Sequence, residues 1–319
     1  MTDTPIPLTK NPEDTFSASK IREFVSCQRR YKYKYVDRLA PRIYQRALEF
    51  GTIGHHFLEQ WYISLRDGTT YDVLAIAEDI KRERGLEGFD SESLQMFEND
   101  VFTACGMIEA YIKHYAKDAE KYEVLMVEEK ISYSSKINGK ILNGVPDLIL
   151  KERNSNHVWI ADHKFLAQVS DGLVKKLPLD YQIHAYLKMG KEWLTQNRPE
   201  LFLRGAIYNI VRKPSKRLKK GQTLKEYQQE LFLDYSERPD EFFFREMPIV
   251  TDKLIANFDS FLEIVTEDMT QKHASGKFLQ NIFACDVYGT CPYLELCLYG
   301  DASKHLYKDW VKERKESVK

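Results

Sequence analysis

The amino-acid sequence predicts an α/β fold in which a central β-sheet is flanked by helices. Three short apolar segments, at residues 124–126, 141–150 and 158–161, are rich in Val, Ile and Leu and have the length of strands. Amphipathic patterns with helical periodicity precede and follow them. The chain has 319 residues, of which 43% are hydrophobic and 30% charged, so it can bury a substantial core.

The region before the strands has the periodicity of helices. Ser17 and Ser19 offer N-caps for a first helix, which is predicted to end near Cys27. Longer patterns predict helices over residues 50–66, 71–86 and 91–115. Cys105 lies in the apolar stripe of the last of these helices, which indicates a buried core thiol.

Two adjacent histidines, His55 and His56, lie in the predicted helix over residues 50–66. A histidine in a helix is commonly a core or surface residue. Here, however, Gly51 and Gly54 come just before His55, and glycine allows another part of the backbone to approach closely.

The central strands carry acidic residues at their ends. Asp147 lies in the second segment, and the third leads directly into Asp162 and Lys164, so that a β-meander would gather them. Two neighbouring carboxylates repel each other unless a cation lies between them, and such oxygen sites suit Mg²⁺ or Mn²⁺. Lys164 points to the same strand face as Asp162, where its ammonium could position water or a phosphate. Equally, such aspartates are commonly solvated turn residues.

The pattern continues with alternating helices and strands after the meander. A predicted helix over residues 178–193 carries Gln182 and Tyr186, four residues apart and therefore on one face. That face is either the polar edge of a packed helix or a hydrogen-bonding surface beside the acids. The remaining predicted elements are a strand at 203–211, a helix at 224–235, a strand at 241–250 and a helix at 252–272.

The net charge of −1 excludes a global basic field, so a nucleic-acid partner would need local basic patches. Residues 28–38 mix basic and aromatic side chains, and residues 212–220 hold six Lys or Arg in nine positions. Each run is either a solvated surface or a surface that follows a phosphate backbone. The candidate DNA contacts are Arg29, Arg30, Lys32, Arg212, Lys213, Lys216 and Arg217.

The sequence contains neither a signal-peptide pattern nor an apolar run long enough to cross a membrane. Residues 1–15 are polar and are expected to form a flexible leader. We therefore predict a cytoplasmic protein with no membrane partner, in which cysteines stay reduced and suit metal binding better than disulfides.

Cys285, Cys291 and Cys297 are evenly spaced, each six residues after the last. Cys27 is the natural fourth ligand because Cys105 is assigned to a helix core. Four thiolates fit either an iron–sulfur cluster or a structural zinc ion. Zinc ligands commonly pair at shorter gaps, so the spacing favours a [4Fe–4S] cluster, although three unligated thiols are also compatible. A cluster would tie the N-terminal helix to the C-terminal segment.

Together these segments resemble the RecB-like branch of the PD-(D/E)xK nuclease superfamily and its iron–sulfur members, which include CRISPR-associated exonucleases, the AddB nuclease module and many phage exonucleases. GTIGH resembles the family's histidine motif at His55, and GVPDLIL its aspartate motif at Asp147. ADHK and QIHAY match the two following motifs, and CDVYGTCPYLELC resembles the C-terminal cysteine motif. The first gap of the cysteine triplet is longer than the family's usual two residues. YNIVRKP resembles phage members, which points to a viral origin and action in the host cytoplasm.

The resemblance implies a restriction-endonuclease-like core with a central mixed sheet. It also implies one nuclease domain over residues 1–319, which divides into a leader (1–15), a helical region (16–120), a nuclease core (121–250), a C-terminal helix and cysteine segment (251–300) and a charged tail (301–319).

The resemblance further implies roles for the site residues. Asp147 and Asp162 would bind the divalent metal together with the His55 imidazole and the backbone carbonyl of His163. Lys164 would orient or help to deprotonate the attacking water. Gln182 and Tyr186 would position the phosphate or Lys164, and Glu128 would add an outer contact, whereas Glu129 should point to the other face.

The implied activity is a metal-dependent DNA exonuclease that acts on single-stranded or duplex ends in replication, recombination or repair, with a replication or recombination protein as a partner. The competing hypothesis is a DNA-binding or assembly subunit, such as a CRISPR-adaptation partner, in which nuclease activity is secondary or absent.

Overall fold

The structure, a computed structural model, describes residues 15–42, 44–83, 90–134, 140–287 and 289–309. The predicted leader up to residue 14 and the tail from residue 310 lie outside these ranges. The strands are β1 (Thr15–Ser17), β2 (Leu39–Pro41), β3 (Tyr122–Val127), β4 (Ile131–Ser134), β5 (Ile141–Gly144), β6 (Leu148–Glu152), β7 (His157–Leu166), β8 (Phe202–Arg212), β9 (Phe243–Glu246) and β10 (Tyr307–Asp309).

Four helices in succession precede β3, and the later helices alternate with the last strands of the chain. The helices are α1 (Ala18–Ser26), α2 (Gln28–Tyr31), α3 (Arg46–Asp67), α4 (Val73–Glu83), α5 (Ser91–His114), α6 (Asp118–Lys121), α7 (Asp171–Val174), α8 (Tyr181–Asn197), α9 (Leu224–Glu237), α10 (Asp252–Ser275) and α11 (Leu294–Tyr299). Ser17 caps α1 by accepting the Lys20 N–H, and Cys27 follows the last residue of that helix, as predicted.

The main sheet has five strands in the order β3-β6-β7-β8-β9. The central pair β7 and β8 is parallel, and the other neighbours are antiparallel. The predicted mixed sheet with flanking helices is therefore confirmed. Two smaller sheets, β1-β5-β4 and β10-β2, accompany it.

Both faces of the main sheet are buried, because side chains alternate along each strand. Along β6, Leu148 and Leu150 face one hydrophobic cluster and Ile149 faces the other. The first cluster packs the sheet against α3, α5 and α9, and the second packs it against α1, α8 and α10. Cys105 is fully buried in the first cluster, as predicted for a core thiol.

The predicted second strand, residues 141–150, is in fact two strands in two different sheets. β5 pairs with β1 and β4, whereas β6 pairs with β3 and β7, so the meander is incomplete. The chain changes sheet between Gly144 and Leu148. Pro146 has no N–H to continue a ladder, and a Cβ at Gly144 would overlap the Met189 side chain.

Other boundaries also differ from the predicted ones, and the helix predicted over residues 178–193 is observed at Tyr181–Asn197. β7 continues to Leu166, so Asp162 and Lys164 lie within the strand and not after it. The helix predicted from residue 50 begins at Arg46. The strand predicted over residues 241–250 is limited to Phe243–Glu246. No helix in the described part of the chain is long and apolar enough to cross a membrane.

Candidate functional site

The candidate site lies where β6 and β7 separate. Their pairing ends at Leu148 and Ala161, while β7 continues beside β8 alone. There the carboxylate of Asp147 replaces the missing strand, because its Oδ2 accepts the His163 N–H at 2.5 Å. The Asp147 carbonyl in turn accepts the Glu128 N–H at 3.1 Å. The end of β3 and the middle of β7 are thus both held to Asp147.

Helix α3 brings His55 to this point. The His55 Nδ1 lies 3.3 Å from the Asp147 Oδ2 and 3.7 Å from the Glu128 Oε1. A Cβ at Gly54 would overlap the ring of Phe165 on β7, so the predicted close approach requires glycine at that position. His56 points elsewhere and lies 3.3 Å from Glu59.

Glu128 joins the site through an unusual backbone conformation. Its φ of 48° lies in the left-handed region, which residues other than glycine seldom adopt and which is frequent at functional sites. Ligand atoms of His55, Glu128 and Asp147 all lie within 4.8 Å of one another. Glu129 instead contacts Arg66 at 3.4 Å. The resemblance implied only an outer contact for Glu128. The left-handed conformation that brings it into the group of three cannot be predicted from the alternation of side chains along a strand.

A second group lies beside the first, on the α8 side of β7. The Lys164 Nζ is 2.6 Å from the Asp162 Oδ2 and donates to the Gln182 Oε1 at 3.0 Å. The Gln182 Nε2 donates to the Asp162 Oδ1 at 3.2 Å and to the Tyr186 hydroxyl at 3.0 Å. Tyr186 donates to the Val145 carbonyl at 3.0 Å, which ties α8 to the turn before Asp147.

His163 points to the opposite face of β7 from Asp162 and Lys164. Its ring is buried and stacks on Tyr62, with centroids 5.7 Å apart. Burial lowers the pKa of the imidazole to about 3, so the ring is neutral. The contribution of His163 to the site is therefore through its backbone. Its N–H binds Asp147, and the predicted role of its carbonyl stays a prediction.

The electrostatics of the site favour a cation. Burial lowers the pKa of His55, but Asp147 and then Glu128 outweigh burial and raise that pKa to about 10. Burial raises the pKa of Asp147, but the His55 imidazolium outweighs it and lowers that pKa to about 2. Burial raises the pKa of Glu128. The carboxylates therefore hold a positive charge between them, which a metal ion could supply in place of the imidazole proton.

Asp162 and Lys164 are coupled in the same way. Burial raises the pKa of Asp162 to about 6, although Lys164 opposes this. Burial lowers the pKa of the Lys164 ammonium, but Asp162 beside it raises that pKa by more. Lys164 therefore stays charged. Asp162 lies next to the group of three and is paired with Lys164. Its role as a direct metal ligand beside Asp147, which the resemblance implies, stays a prediction.

The first basic run is engaged with other parts of the protein. Arg30 forms an ion pair with Glu23 of α1. The Lys32 Nζ lies 2.6 Å from Asp37, and the Arg29 guanidinium is near enough to Cys297 to favour its thiolate electrostatically. These side chains therefore join α1, the turn after it and the cysteine segment. Their predicted contacts with DNA stay a prediction.

The second basic run follows β8 and is more open to solvent. Lys216 and Arg217 are exposed, and Lys213 lies over the ring of Phe50, with its Nζ 4.6 Å from the centroid. The ion pairs recorded there include Arg212–Glu241 at 3.7 Å and Lys216–Asp234 at 3.2 Å. Acidic neighbours thus offset part of the positive charge that the sequence concentrates there.

The four predicted cluster ligands gather at the end of α1. The Asn281 N–H donates to the Cys27 Sγ at 3.5 Å, and the Cys291 N–H donates to the Cys285 carbonyl at 2.7 Å. Burial raises the pKa of the Cys291 thiol, and Cys285 and Cys27 raise it further. Burial also raises the pKa of Cys297, as do the neighbouring Cys291 and Cys27. All four cysteines are free thiols in this structure.

Comparison with known proteins agrees with this arrangement. The family model for the PD-(D/E)XK nuclease superfamily matches residues 15–298. A crystal structure described as a "Putative exonuclease" from Eubacterium rectale is similar at 14% identity, with a TM-score of 0.46 and 88% of each chain covered. No curated protein matches the chain significantly. The family match spans β1 to β9, the candidate site and all five cysteines, and the chain belongs to the PD-(D/E)XK nuclease superfamily.

Proposed function

We propose that the protein is a metal-dependent DNA exonuclease that cuts phosphodiester bonds at DNA ends. One observation carries the proposal: His55, Glu128 and Asp147 converge within 4.8 Å beside a hydrogen-bonded group of buried Asp162 with the half-buried Lys164 and Gln182. A site with that composition can hold a divalent ion next to a fixed ammonium group. The resemblance to phage members further suggests action in the host cytoplasm, with a replication or recombination protein as partner.

The donor set fits a divalent cation of the hard or borderline class. Two carboxylates suit Mg²⁺ or Mn²⁺, and the imidazole of His55 favours Mn²⁺ over Mg²⁺. A bound ion of this kind lowers the pKa of its water and stabilises negative charge on a phosphate. Asp162 is close enough to Asp147 for the two carboxylates to repel each other, so it adds a third acidic side chain to the site beside Glu128 and Asp147.

The chain's own residues then position the reactants. The Lys164 ammonium is held by Asp162 and Gln182, so it is presented in one orientation to a water or a phosphate oxygen. Tyr186 fixes Gln182 from the other side and anchors it to the Val145 carbonyl. Gln182 and Tyr186 are expected to position either the phosphate or Lys164, and this organisation supports the second of these roles.

We propose a [4Fe–4S] cluster at Cys27, Cys285, Cys291 and Cys297, with zinc as the alternative. A tetrahedral zinc ion with Zn–S bonds of about 2.3 Å draws its sulfurs to within roughly 4 Å of one another. The even spacing of the three C-terminal cysteines, six residues apart, differs from the shorter gaps common among zinc ligands. This spacing, together with the resemblance to iron–sulfur members, supports the cluster.

The test is a digest of end-labelled linear DNA, single-stranded and duplex, with Mn²⁺ and with Mg²⁺. We expect products that shorten from an end, and no cleavage of circular DNA. Lys164→Ala and Asp162→Asn should each reduce cleavage by at least about 100-fold, because they remove a preorganised charge. Lys191→Ala, an exposed lysine on the same helix as Gln182, is the matched control.

Two results would overturn the proposal. One is full-rate cleavage by Lys164→Ala or Asp162→Asn, which would mean that the observed nuclease is a contaminant or uses another site. The other is the absence of cleavage of every substrate with both metals by protein that is folded and carries its full metal content.

A further inference from the structure

A cavity of about 360 Å³ borders the candidate site at Gln182 and is lined by residues of α1, the start of α8 and α10. Gln182 also accepts the hydrogen bond from Lys164 at 3.0 Å. Gln182 is therefore common to the cavity wall and to the group that holds the ammonium of the site. Its volume is at the lower end of the roughly 300–1,000 Å³ that is usual for small-molecule pockets.

The cavity is lined mainly by apolar and aromatic side chains, several of which are exposed. Tyr181 stacks on Phe261, with centroids 4.0 Å apart and planes 26° apart, and yet it remains 42% exposed. Val25 is 56% exposed and Leu179 is 58% exposed. Exposed apolar groups that cluster around one opening indicate a surface for a ligand with an apolar face.

The charges around the cavity favour a ligand whose uncharged part enters the cavity and whose anionic part stays at the opening. Asp180 lines it and is already engaged, because its carboxylate accepts the Gln182 N–H and the Tyr208 hydroxyl, each at 2.8 Å. This negative charge disfavours a phosphate within the cavity. Arg22 also lines the cavity and has an exposed side chain, so it can contact an anion at the opening.

We propose that this cavity binds one unstacked base of a single-stranded DNA end, next to the phosphate that Lys164 positions. A nucleobase is flat, so it can stack on the aromatic wall, and it is uncharged, so Asp180 does not repel it. The anionic backbone attached to the base can contact Arg22 at the opening. A base in a duplex is paired and stacked, so the cavity selects strands with an unpaired end. This inference rests on the proposed function and names its substrate.

The test measures binding in the absence of cleavage, with Ca²⁺ in place of Mn²⁺. The probes are fluorescent single-stranded oligodeoxynucleotides, each with one abasic site at a successive position from the end. We expect one position at which loss of the base weakens binding by about five-fold or more, since base–aromatic stacking contributes that much. Duplex ends should bind more weakly than single-stranded ends of the same sequence.

Variants locate the effect. Tyr181→Ala should bind the intact and abasic probes equally weakly, whereas Tyr181→Phe should behave like the unmodified protein. Val25→Glu places a carboxylate at an exposed position of the opening and should also weaken binding of the intact probe. Leu233→Glu is the matched control, because Leu233 is 48% exposed on α9, on the other face of the sheet.

The outcomes separate this inference from the proposed function. If DNA is cleaved but no abasic position matters, or if Tyr181→Ala keeps the full abasic penalty, the base-binding cavity is wrong and the nuclease stands. If the position-specific penalty disappears in Tyr181→Ala but no DNA is cleaved with either metal, the cavity stands and the proposed function is wrong.

Discussion

Asp147 has both a structural and a chemical role in the candidate site. One carboxylate oxygen accepts the His163 N–H and also faces the His55 Nδ1. Replacing a missing strand with a carboxylate satisfies a backbone donor that would otherwise be buried without a partner. An uncharged residue of similar size could keep part of the first role but none of the second.

Glu128 and Glu129 offer a residue-level test of the metal group. Glu128→Gln keeps the size of the side chain but removes a charge next to His55 and Asp147, so the affinity for Mn²⁺ should fall by about 10- to 100-fold. Glu129→Gln should leave it unchanged, because that side chain contacts Arg66 instead. Calorimetric titration of each variant with Mn²⁺ measures the effect. Equal affinities in the two variants would remove Glu128 from the group.

The sequence predicts some site residues better than others, for a physical reason. Asp162 and Lys164 share a strand face because side chains alternate along a strand, and the structure places both beside Gln182. Alternation also separates Glu128 from Glu129. What it cannot supply is the left-handed turn at Glu128, which depends on the hydrogen bond from its N–H to Asp147.

At the scale of elements, helix α3 has two glycines with different surroundings. A Cβ at Gly54 would overlap Phe165, whereas a Cβ at Gly51 would meet nothing within 4 Å. Gly51→Ala should therefore stabilise the protein by about 0.5–1 kcal/mol, the usual gain in a helix interior. Gly54→Ala should destabilise it by about 1–3 kcal/mol, because α3 must move away from β7.

Urea denaturation of the two glycine variants measures both effects, and Mn²⁺ titration of Gly54→Ala adds a second readout. Displacing α3 also displaces His55, the next residue along the helix, so Mn²⁺ binding should weaken in Gly54→Ala and not in Gly51→Ala. Equal stability of the two variants would show that α3 does not need to lie so close to the sheet.

The elements that the sequence predicts well are those whose pattern repeats. Helices α5 and α10 match their predicted ranges to within three residues, since several turns of apolar periodicity define them. The prediction of a single strand over residues 141–150 is wrong, because the apolar residues on the two sides of Gly144 and Pro146 pair in different sheets. Pro146 is the signal for this break in the sequence, since it cannot donate to a ladder.

At the scale of the whole molecule, the two ends of the described chain meet. β2 pairs with β10, and the Asn281 side chain donates to the Ser26 carbonyl at 2.9 Å. Gln28 donates to Asp268 on α10 at 3.1 Å. Helix α1 lies between this junction and the proposed base cavity, whose wall includes Val25 and Ser26. The cysteine group therefore lies at the C-terminal end of α1, the helix that lines one side of the proposed base cavity.

The last prediction concerns this junction. Cys291→Ser should abolish the visible absorption of anaerobically purified protein, because an iron–sulfur cluster needs its thiolates. It should also lower the free energy of unfolding by more than about 3 kcal/mol, since metal binding of roughly 10 kcal/mol is coupled to folding in structural sites. Hydrogen exchange should accelerate in α1, which Cys27 follows, and in α11, which contains Cys297, and remain slow in α5.

Cys105→Ala is the matched control, because it removes a buried thiol from the core without touching the junction. We expect a modest loss of stability, of about 1 kcal/mol for the small cavity, with the visible absorption intact. If the purified protein contains zinc and no iron and shows no visible absorption, the cysteines bind zinc and the proposed cluster is wrong. Unchanged exchange in α1 after Cys291→Ser would mean that β2, β10 and the Asn281–Ser26 contact hold the two ends together without metal.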